Sequence, residues 1–356
     1  MKKTIGWLAM ACIISILCWQ CSKDETSAPS LKGSLSKSAK QLNTAVNTIV
    51  QTAGYKILQL DDTQLKSTWE DDMSYTDSIL LKEISGIYEY NAQAPDHQYD
   101  MFYRNVFLKT GESDSLIIQL PEEKVFKPWR LRMCAPDDTG LVNNFVITAS
   151  EYHYYFSQGF IHDYKLLAGF RLDEENIGSL EVESSKDSWL DYNLSTAYTF
   201  ENNYKVNVFA VTGDTSAWGF SLTEEEDTLL MEKVVLTKSD QWRHLEKEYI
   251  LVIGNVEFRR VSGSHDLEIY VNGVLQENVV IEVIDTSDEN ETGKCICRNR
   301  DIRITFDDGT VTTISELIGP SREILNGLVV SMRDMYFASR IIDYIAWKIY
   351  RTEIIG

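Results

Sequence analysis

The chain has 356 residues, a net charge of −20 and a hydrophobic fraction of 44%. That fraction is enough for a packed core, so global disorder is excluded, and the length suits one large domain or two ordinary ones. The strong acidity argues against nucleic acid as a partner and against adsorption to anionic lipid headgroups.

The first twenty residues predict a signal peptide. Lys2 and Lys3 form a short positive segment, and residues 5–18 carry no charge and are largely apolar. This apolar run is too short to span a bilayer comfortably, and a polar stretch follows it, which is typical of a cleaved export signal. Removal of residues 1–20 takes away both lysines and changes the net charge from −20 to −22.

Cys21 is the expected lipidation site. Cys12 lies inside the apolar run and Cys18 follows the bulky Leu17, whereas Cys21 lies where the run ends. The segment from Cys21 to Glu25, Cys-Ser-Lys-Asp-Glu, resembles the mature start of Bacteroidetes-type lipoproteins, in which a short acidic signal directs the protein to the outer cell face. The resemblance implies an outer-membrane lipoprotein exposed on the cell surface, with the membrane as its partner through lipid on Cys21.

A polar segment and a helix follow. Residues 21–33 are rich in Ser, Lys, Asp, Thr, Gly and Pro, which predicts a flexible tether, and residues 34–356 are expected to form the globular region. Ser34 is the predicted N-cap and Gly54 the predicted end of an amphipathic helix. The apolar residues that recur at spacings of four and three are Leu35, Ala39, Leu42, Val46, Ile49 and Ala53.

From about residue 55 to 312, short segments rich in β-branched and aromatic residues alternate with turn residues. Asn272-Gly273 and the later Asp307-Asp308-Gly309 each separate two such segments and predict hairpins. Because no helical segments intervene, the pattern predicts antiparallel sheet, with a possible division into two subdomains near residues 142–150. The predicted strands include residues 55–60, 84–90, 101–108, 116–120, 145–149, 204–211, 229–236, 249–253, 267–271, 279–284 and 302–306.

The C-terminal part is predicted to be helical. Residues 315–319 indicate a short helical turn, and Pro320 suits the first position of a new helix, whose apolar stripe is interrupted by charges. The portion from Asp307 to Trp347 resembles uncharacterised lipoproteins of the same bacterial group, which implies the class and no activity. The predicted fold is therefore α+β: an antiparallel β-rich body, as a sandwich or strongly curved sheets, with N-terminal and C-terminal helices packed on it.

The most unusual stretch is the aromatic segment of residues 151–164. If it is a strand, one of its faces is exposed for stacking on sugar rings or an apolar ligand, or is buried as a core or helix-packing surface. We favour burial because large aromatic side chains usually lie inside, and we keep ligand binding as the alternative hypothesis. The residues that share this face are Tyr152, Tyr154, Phe156, Phe160 and Tyr164.

Other candidate sites have weaker patterns. His153, His162 and Asp163 lack the tight spacing of metal ligands, and an ordinary hydrogen-bonded role is favoured. The acidic run of residues 285–291 suits either a calcium ligand set or a solvated hairpin tip, and the latter is favoured. Residues 264–266, Ser-His-Asp, are adjacent and their side chains diverge, so they do not predict a catalytic triad.

After Cys21, three cysteines remain, Cys134, Cys295 and Cys297, which allow at most one disulfide and make no zinc motif. We expect no metal, no cofactor and no catalytic residue. The predicted function is that of a non-enzymatic surface lipoprotein that acts in binding or cell-envelope contact, with an extracellular glycan or another surface protein as partner. Two alternatives stay open: a glycan- or apolar-ligand-binding protein that uses the aromatic face of residues 152–164, and an extracellular polymer hydrolase.

Overall fold

A computed structural model describes residues 30–58, 77–91, 106–125, 140–157, 161–188, 191–238, 245–261, 267–285, 300–319, 321–333 and 336–350. The predicted signal peptide, Cys21, Phe160 and the three later cysteines lie outside the described residues, as do residues 264–266 and 286–291.

Helix α1, Leu31–Gln51, begins four residues earlier than predicted. Its N-cap is Ser30, whose Oγ accepts a hydrogen bond from the Gly33 backbone N–H at 3.2 Å, so the segment before the helix is shorter than the predicted tether. Ser34 lies inside the helix and is buried. The predicted apolar stripe is confirmed, and its buried residues include Leu35, Ala39, Leu42, Val46 and Ile49.

Helix α2, Ala53–Leu58, replaces the predicted end of the first helix and the predicted strand of residues 55–60. Both predictions were wrong because the helix is interrupted at Thr52, whose side chain caps a new helix. Thr52 Oγ1 accepts a hydrogen bond from the Tyr55 N–H at 3.1 Å. Gly54 lies in α2, where a Cβ atom would come within 2.5 Å of the Ile177 carbonyl oxygen. Glycine is therefore needed at this position for close approach to the sheet rather than for a helix end.

Most strands form one large sheet, and the short helix α3, Leu81–Ile84, lies between its first two strands. The strands are β1 (Asp77–Leu80), β2 (Gly86–Tyr90), β3 (Phe107–Gly111), β4 (Leu116–Leu120), β5 (Phe145–Ser157), β6 (Ile161–Leu172), β7 (Glu175–Lys186), β8 (Tyr192–Phe200), β9 (Tyr204–Thr212), β10 (Thr215–Glu224), β11 (Asp227–Lys238), β12 (Leu245–Ile253), β13 (Val256–Val261), β14 (Glu268–Val271) and β15 (Val274–Leu275). From β5 to β15 each strand pairs antiparallel with the next one along the chain. The pairing of β2 with β4 is parallel, which the sequence did not predict.

The expected division near residues 142–150 coincides with the start of β5. This strand pairs with β4 on one side and with β6 on the other, so the large sheet is continuous there. A second, three-stranded sheet follows it along the chain, formed by β16 (Val280–Asp285), β17 (Arg300–Thr305) and β18 (Val311–Thr313).

Both predicted tight turns are confirmed. Asn272 and Gly273 connect β14 to β15 with φ angles of 51° and 77°, the left-handed pair that a two-residue hairpin turn of type I′ requires. Gly309, with a φ angle of 77°, lies in the turn between β17 and β18.

Three helices end the described chain: α4 (Ile314–Ile318), α5 (Ser321–Arg333) and α6 (Tyr336–Ile349). Helix α1 packs against α4, α5 and strands β11–β13, and α5 packs on β8 and β9. Asn43 connects α1 to α4 and to the start of α5, because its Nδ2 donates to the Leu317 carbonyl at 3.1 Å and its Oδ1 accepts from Ser321. The predicted α+β fold, with helices from both termini on a β-rich body, is confirmed.

Among the described residues, no helix combines the length and the apolar character needed to cross a membrane.

Candidate functional site

The aromatic segment is a hairpin rather than the single strand considered in the sequence analysis. Its residues are divided between the end of β5 and the start of β6, and Tyr154 lies opposite Tyr164 in the register. Because alternate residues of a strand face the same side, the four described members of the set still share one face. They are Tyr152, Tyr154, Phe156 and Tyr164.

Helix α6 covers this face. The Trp347 ring lies 5.0 Å from the ring of Phe156 and 5.9 Å from that of Tyr154, measured between centroids. Tyr152 and Phe156 are only 3% and 6% exposed. The described aromatic residues therefore form a helix-packing surface, the arrangement that we favoured.

A carboxyl group lies within this interface. Asp343 of α6 accepts hydrogen bonds at Oδ1 from the hydroxyl of Tyr152 at 3.0 Å and from that of Tyr164 at 3.2 Å. Burial raises the pKa of Asp343 to about 7, although the two tyrosine hydrogen bonds act in the opposite direction. Burial, and then the charge of Asp343, raise the pKa of Tyr152 well above its ordinary value.

The two histidines of this region do not share a site. His153 lies opposite Lys165 and His162 opposite Phe156, so the two imidazoles are on opposite faces of the hairpin. His153 Nδ1 is 3.6 Å from an Asp163 carboxylate oxygen, and His162 Nε2 is 2.9 Å from the Ser184 hydroxyl. Within the described ranges, no group of three or more His, Cys, Asp or Glu side chains is placed to hold a metal ion.

A cleft lined by residues with polar side chains, called the polar cleft below, lies between the first half of α1 and two tight turns of the sheet. Its volume is about 410 Å³, within the range of about 300–1,000 Å³ that is usual for small-molecule sites. Besides the first residues of α1, it is lined by Ser34, Lys37, Ser38, Gln41, Asn255 and Asn272.

Glycine brings one of these turns close to the helix. Gly254, with a φ angle of 59°, lies in the turn between β12 and β13, and a Cβ atom there would collide with the side chain of Ser38. Asn255 is the next residue in this turn, so its amide faces α1. The turn between β14 and β15 places Asn272 beside it.

A chain of hydrogen bonds orients the polar groups of the cleft. Ser38 Oγ donates to Asn255 Oδ1 at 3.1 Å, and Asn255 Nδ2 donates to Asn272 Oδ1 at 3.1 Å. In this arrangement Asn272 Oδ1 accepts a hydrogen bond, and Asn272 Nδ2 is the donor group of the same amide.

Ser34 is the most informative residue of the lining. It is 8% exposed, and within the part of the chain that the structure describes its hydroxyl has no hydrogen-bond partner. The oxygen itself is not enclosed by the protein, so it is accessible from the cleft to a ligand group that bonds to it. Lys37, Ser38 and Gln41 follow at helical spacings of three, four and seven residues, on the same side of α1.

Sequence reasoning missed the cleft and Asp343. Asn272 was identified only as a turn former and Ser34 as a helix cap, and Asn255 and Gln41 carry no motif. The one available signal was the spacing of polar Ser34, Ser38 and Gln41 along the predicted helix. It becomes informative only once the two distant turns are known to lie against that helix.

Comparisons of this chain with protein-family models, with curated proteins and with solved structures find no match.

Proposed function

We propose that this protein is an exported lipoprotein, anchored in the outer membrane through lipid on Cys21, that acts without catalysis by binding a ligand at the cell surface. The polar cleft between α1 and the turns of the sheet is the proposed binding site. The single observation that carries the binding role is the hydroxyl of Ser34, which has no hydrogen-bond partner among the described residues and opens on this cleft among further hydrogen-bonding groups.

The amino terminus supports the export and the anchor. A positive segment, an uncharged apolar run and Cys21 at its end follow one another as in a lipoprotein signal. Lys23, Asp24 and Glu25 supply the short charged segment that resembles a surface-export signal.

The position of the cleft supports a function close to the membrane. Ser30 caps α1 and also lines the cleft, and it follows Cys21 by nine residues. Nine residues of extended chain span at most about 30 Å. A ligand in the cleft would therefore be held near the envelope, which favours a component of the cell surface or of its immediate surroundings.

The lining supports binding rather than acid–base chemistry. The described residues of the cleft offer hydroxyl and amide groups and the ammonium of Lys37, with no carboxylate or imidazole among them. General acid–base catalysis would need such titratable groups within hydrogen-bond reach of a substrate.

Two experiments in cells test the location. Cys21→Ala should abolish incorporation of labelled palmitate, whereas Cys18→Ala should leave it unchanged. Neutralising Lys23, Asp24 and Glu25 should leave the protein lipidated but protect it from protease added to intact cells. Continued labelling of Cys21→Ala, or unchanged sensitivity to external protease, would contradict the anchor or the surface location.

Binding to the cell envelope is tested by sedimentation with whole cells. The full mature chain carrying Cys21→Ala is mixed with cells of a strain that lacks the protein and is then centrifuged. We expect it to sediment with the cells, and we expect Asn272→Gly to weaken this. Asn203→Gly is the matched control, because Asn203 also has a positive φ angle, of 65°, in a tight turn elsewhere in the sheet. Sedimentation that is absent, or equal for both variants, counts against the cleft as the site.

A further inference from the structure

We propose that the cleft binds a neutral carbohydrate, by hydrogen bonds to the sugar hydroxyl groups. This inference rests on the proposed function of the cleft as a binding site and specifies the class of its ligand. The residues that carry it are Ser34 and Gln41 on α1 and Asn272 in the turn between β14 and β15.

The lining matches the chemistry of sugar hydroxyls. A sugar hydroxyl both donates and accepts hydrogen bonds, and a side-chain amide or a serine hydroxyl offers both functions in a small space. The bonds from Ser38 to Asn255 and from Asn255 to Asn272 fix two amides in known orientations before any ligand arrives. Groups that are held in this way lose little conformational freedom on binding.

The helix end is poorly suited to an anion. The backbone N–H groups of Gly33 and Ser34 already donate to the side chain and the carbonyl of Ser30, at 3.2 Å and 3.0 Å. A helix N-terminus binds phosphate or carboxylate through such donors when they are free. Lys37 is the one cationic side chain among the described lining residues, in a chain of net charge −20. We therefore expect a charged ligand to gain less binding free energy in the cleft than a neutral ligand that bonds to the hydroxyl and amide groups.

The size and shape of the cleft fit a sugar. Its volume of about 410 Å³ is that of a small-molecule site, and it opens to solvent rather than closing around its contents. An open cleft can hold one end of an oligosaccharide while the remainder of the chain extends into solvent. Glycans at a cell surface are presented in this way.

Isothermal titration of the full mature chain carrying Cys21→Ala tests the ligand class. The probes are maltotetraose, chitotetraose and mannotetraose as neutral oligosaccharides, with tetragalacturonate and inorganic phosphate as charged comparators. We expect at least one neutral oligosaccharide to bind more tightly than either charged probe. Loss of one neutral hydrogen bond costs about 0.5–1.5 kcal/mol, so Ser34→Ala and Asn272→Gly should each weaken binding about two- to tenfold.

Matched variants separate the cleft from the rest of the surface. Ser36→Ala changes an exposed serine of α1 that does not line the cleft, and Asn203→Gly changes an equivalent turn residue far along the sheet. Both should bind like the unmodified chain. The proposal is overturned if no neutral probe binds at millimolar concentration, if a charged probe binds more tightly, or if the cleft variants bind as well as their controls. If the chain still sediments with envelopes in a cleft-dependent way while no neutral probe binds, the ligand class is wrong and the proposed function stands.

Discussion

The hydroxyl of Tyr152 donates a hydrogen bond to the carboxylate of Asp343 across 3.0 Å, and this bond joins β5 to α6. Tyr164 of β6 donates to the same oxygen. The last described helix is therefore attached to the hairpin by aromatic packing and by a half-buried carboxyl group. The free energy of this attachment depends on whether the carboxyl is protonated.

The first prediction concerns pH. Burial raises the pKa of Asp343 to about 7 in the folded chain, from its ordinary value of 3.8 in an unfolded one. The folded state thus binds a proton more tightly, so the contribution of Asp343 to stability is fully present below pH 3.8 and is lost as pH rises to about 7. Asp343→Asn keeps an acceptor for the tyrosines and removes the titration.

Urea unfolding at pH 5 and pH 8 measures this effect. The unmodified chain should lose more stability between the two values than Asp343→Asn does. Asp227→Asn, which removes an exposed carboxylate at the start of β11, is the control and should keep the pH dependence of the unmodified chain. Parallel pH profiles for the unmodified chain and Asp343→Asn would show that Asp343 does not titrate in this range.

The second prediction concerns the packing of α6 on the hairpin. Phe156 is 6% exposed and its ring contacts Trp347 and Tyr350. Truncating a buried phenylalanine to alanine typically costs about 3–5 kcal/mol, so Phe156→Ala should lower the free energy of unfolding by that order. Tyr155→Ala removes a neighbouring ring from the opposite face and should cost much less. Equal losses in denaturant titrations would indicate that α6 does not rest on this face.

Some of this architecture is encoded locally and was predicted from the sequence. The Asn272-Gly273 turn follows from the positive φ angles that those residue types tolerate, and the stripe from Leu35 to Ile49 follows from helical periodicity. The sequence did not single out strand β7, Glu175–Lys186, because it is rich in Glu and Ser and its alternation of apolar and acidic residues is short, over residues 180–183. Its pairing with both neighbours holds it in the sheet.

The functional features depend on contacts between distant parts of the chain. Asp343 was interpreted only as a charge that interrupts an apolar stripe, because nothing near it in sequence indicates two tyrosine hydroxyls about 180 to 190 residues away. The cleft likewise needs α1 and the turns at Asn255 and Asn272 together. Local pattern determines which residues form the helix and the turns, whereas their juxtaposition is a property of the whole sheet.

The third prediction concerns α1. Leu42 is 0% exposed in the interface of α1 with the sheet and the C-terminal helices. Leu42→Ala should therefore cost about 2–5 kcal/mol of unfolding free energy. Lys40→Ala, on the exposed face of the same helix, should change it by no more than about 0.5 kcal/mol. If the two variants unfold at the same urea concentration, α1 is not part of the cooperative core.

The last prediction concerns the contact that forms one wall of the cleft. Gly254 has a φ angle of 59° and faces Ser38, whereas Gly273 has a φ angle of 77° and has no neighbour within 4 Å of the position of a Cβ atom. Gly273→Ala should therefore cost only the left-handed backbone strain, about 1–2 kcal/mol. Gly254→Ala adds a steric collision with the Ser38 side chain. Overpacking typically costs about 1–3 kcal/mol, so we expect a further loss of unfolding free energy of that size.

A double variant identifies the source of the additional loss. In chains that carry Ser38→Gly, the partner of the collision is gone, so Gly254→Ala should cost no more than Gly273→Ala does in the same background. Urea unfolding of the single and double variants measures this coupling. If Gly254→Ala remains the more costly change without the Ser38 side chain, the turn between β12 and β13 does not rest on Ser38. The cleft would then lack the wall that holds Asn255 and Asn272 in place.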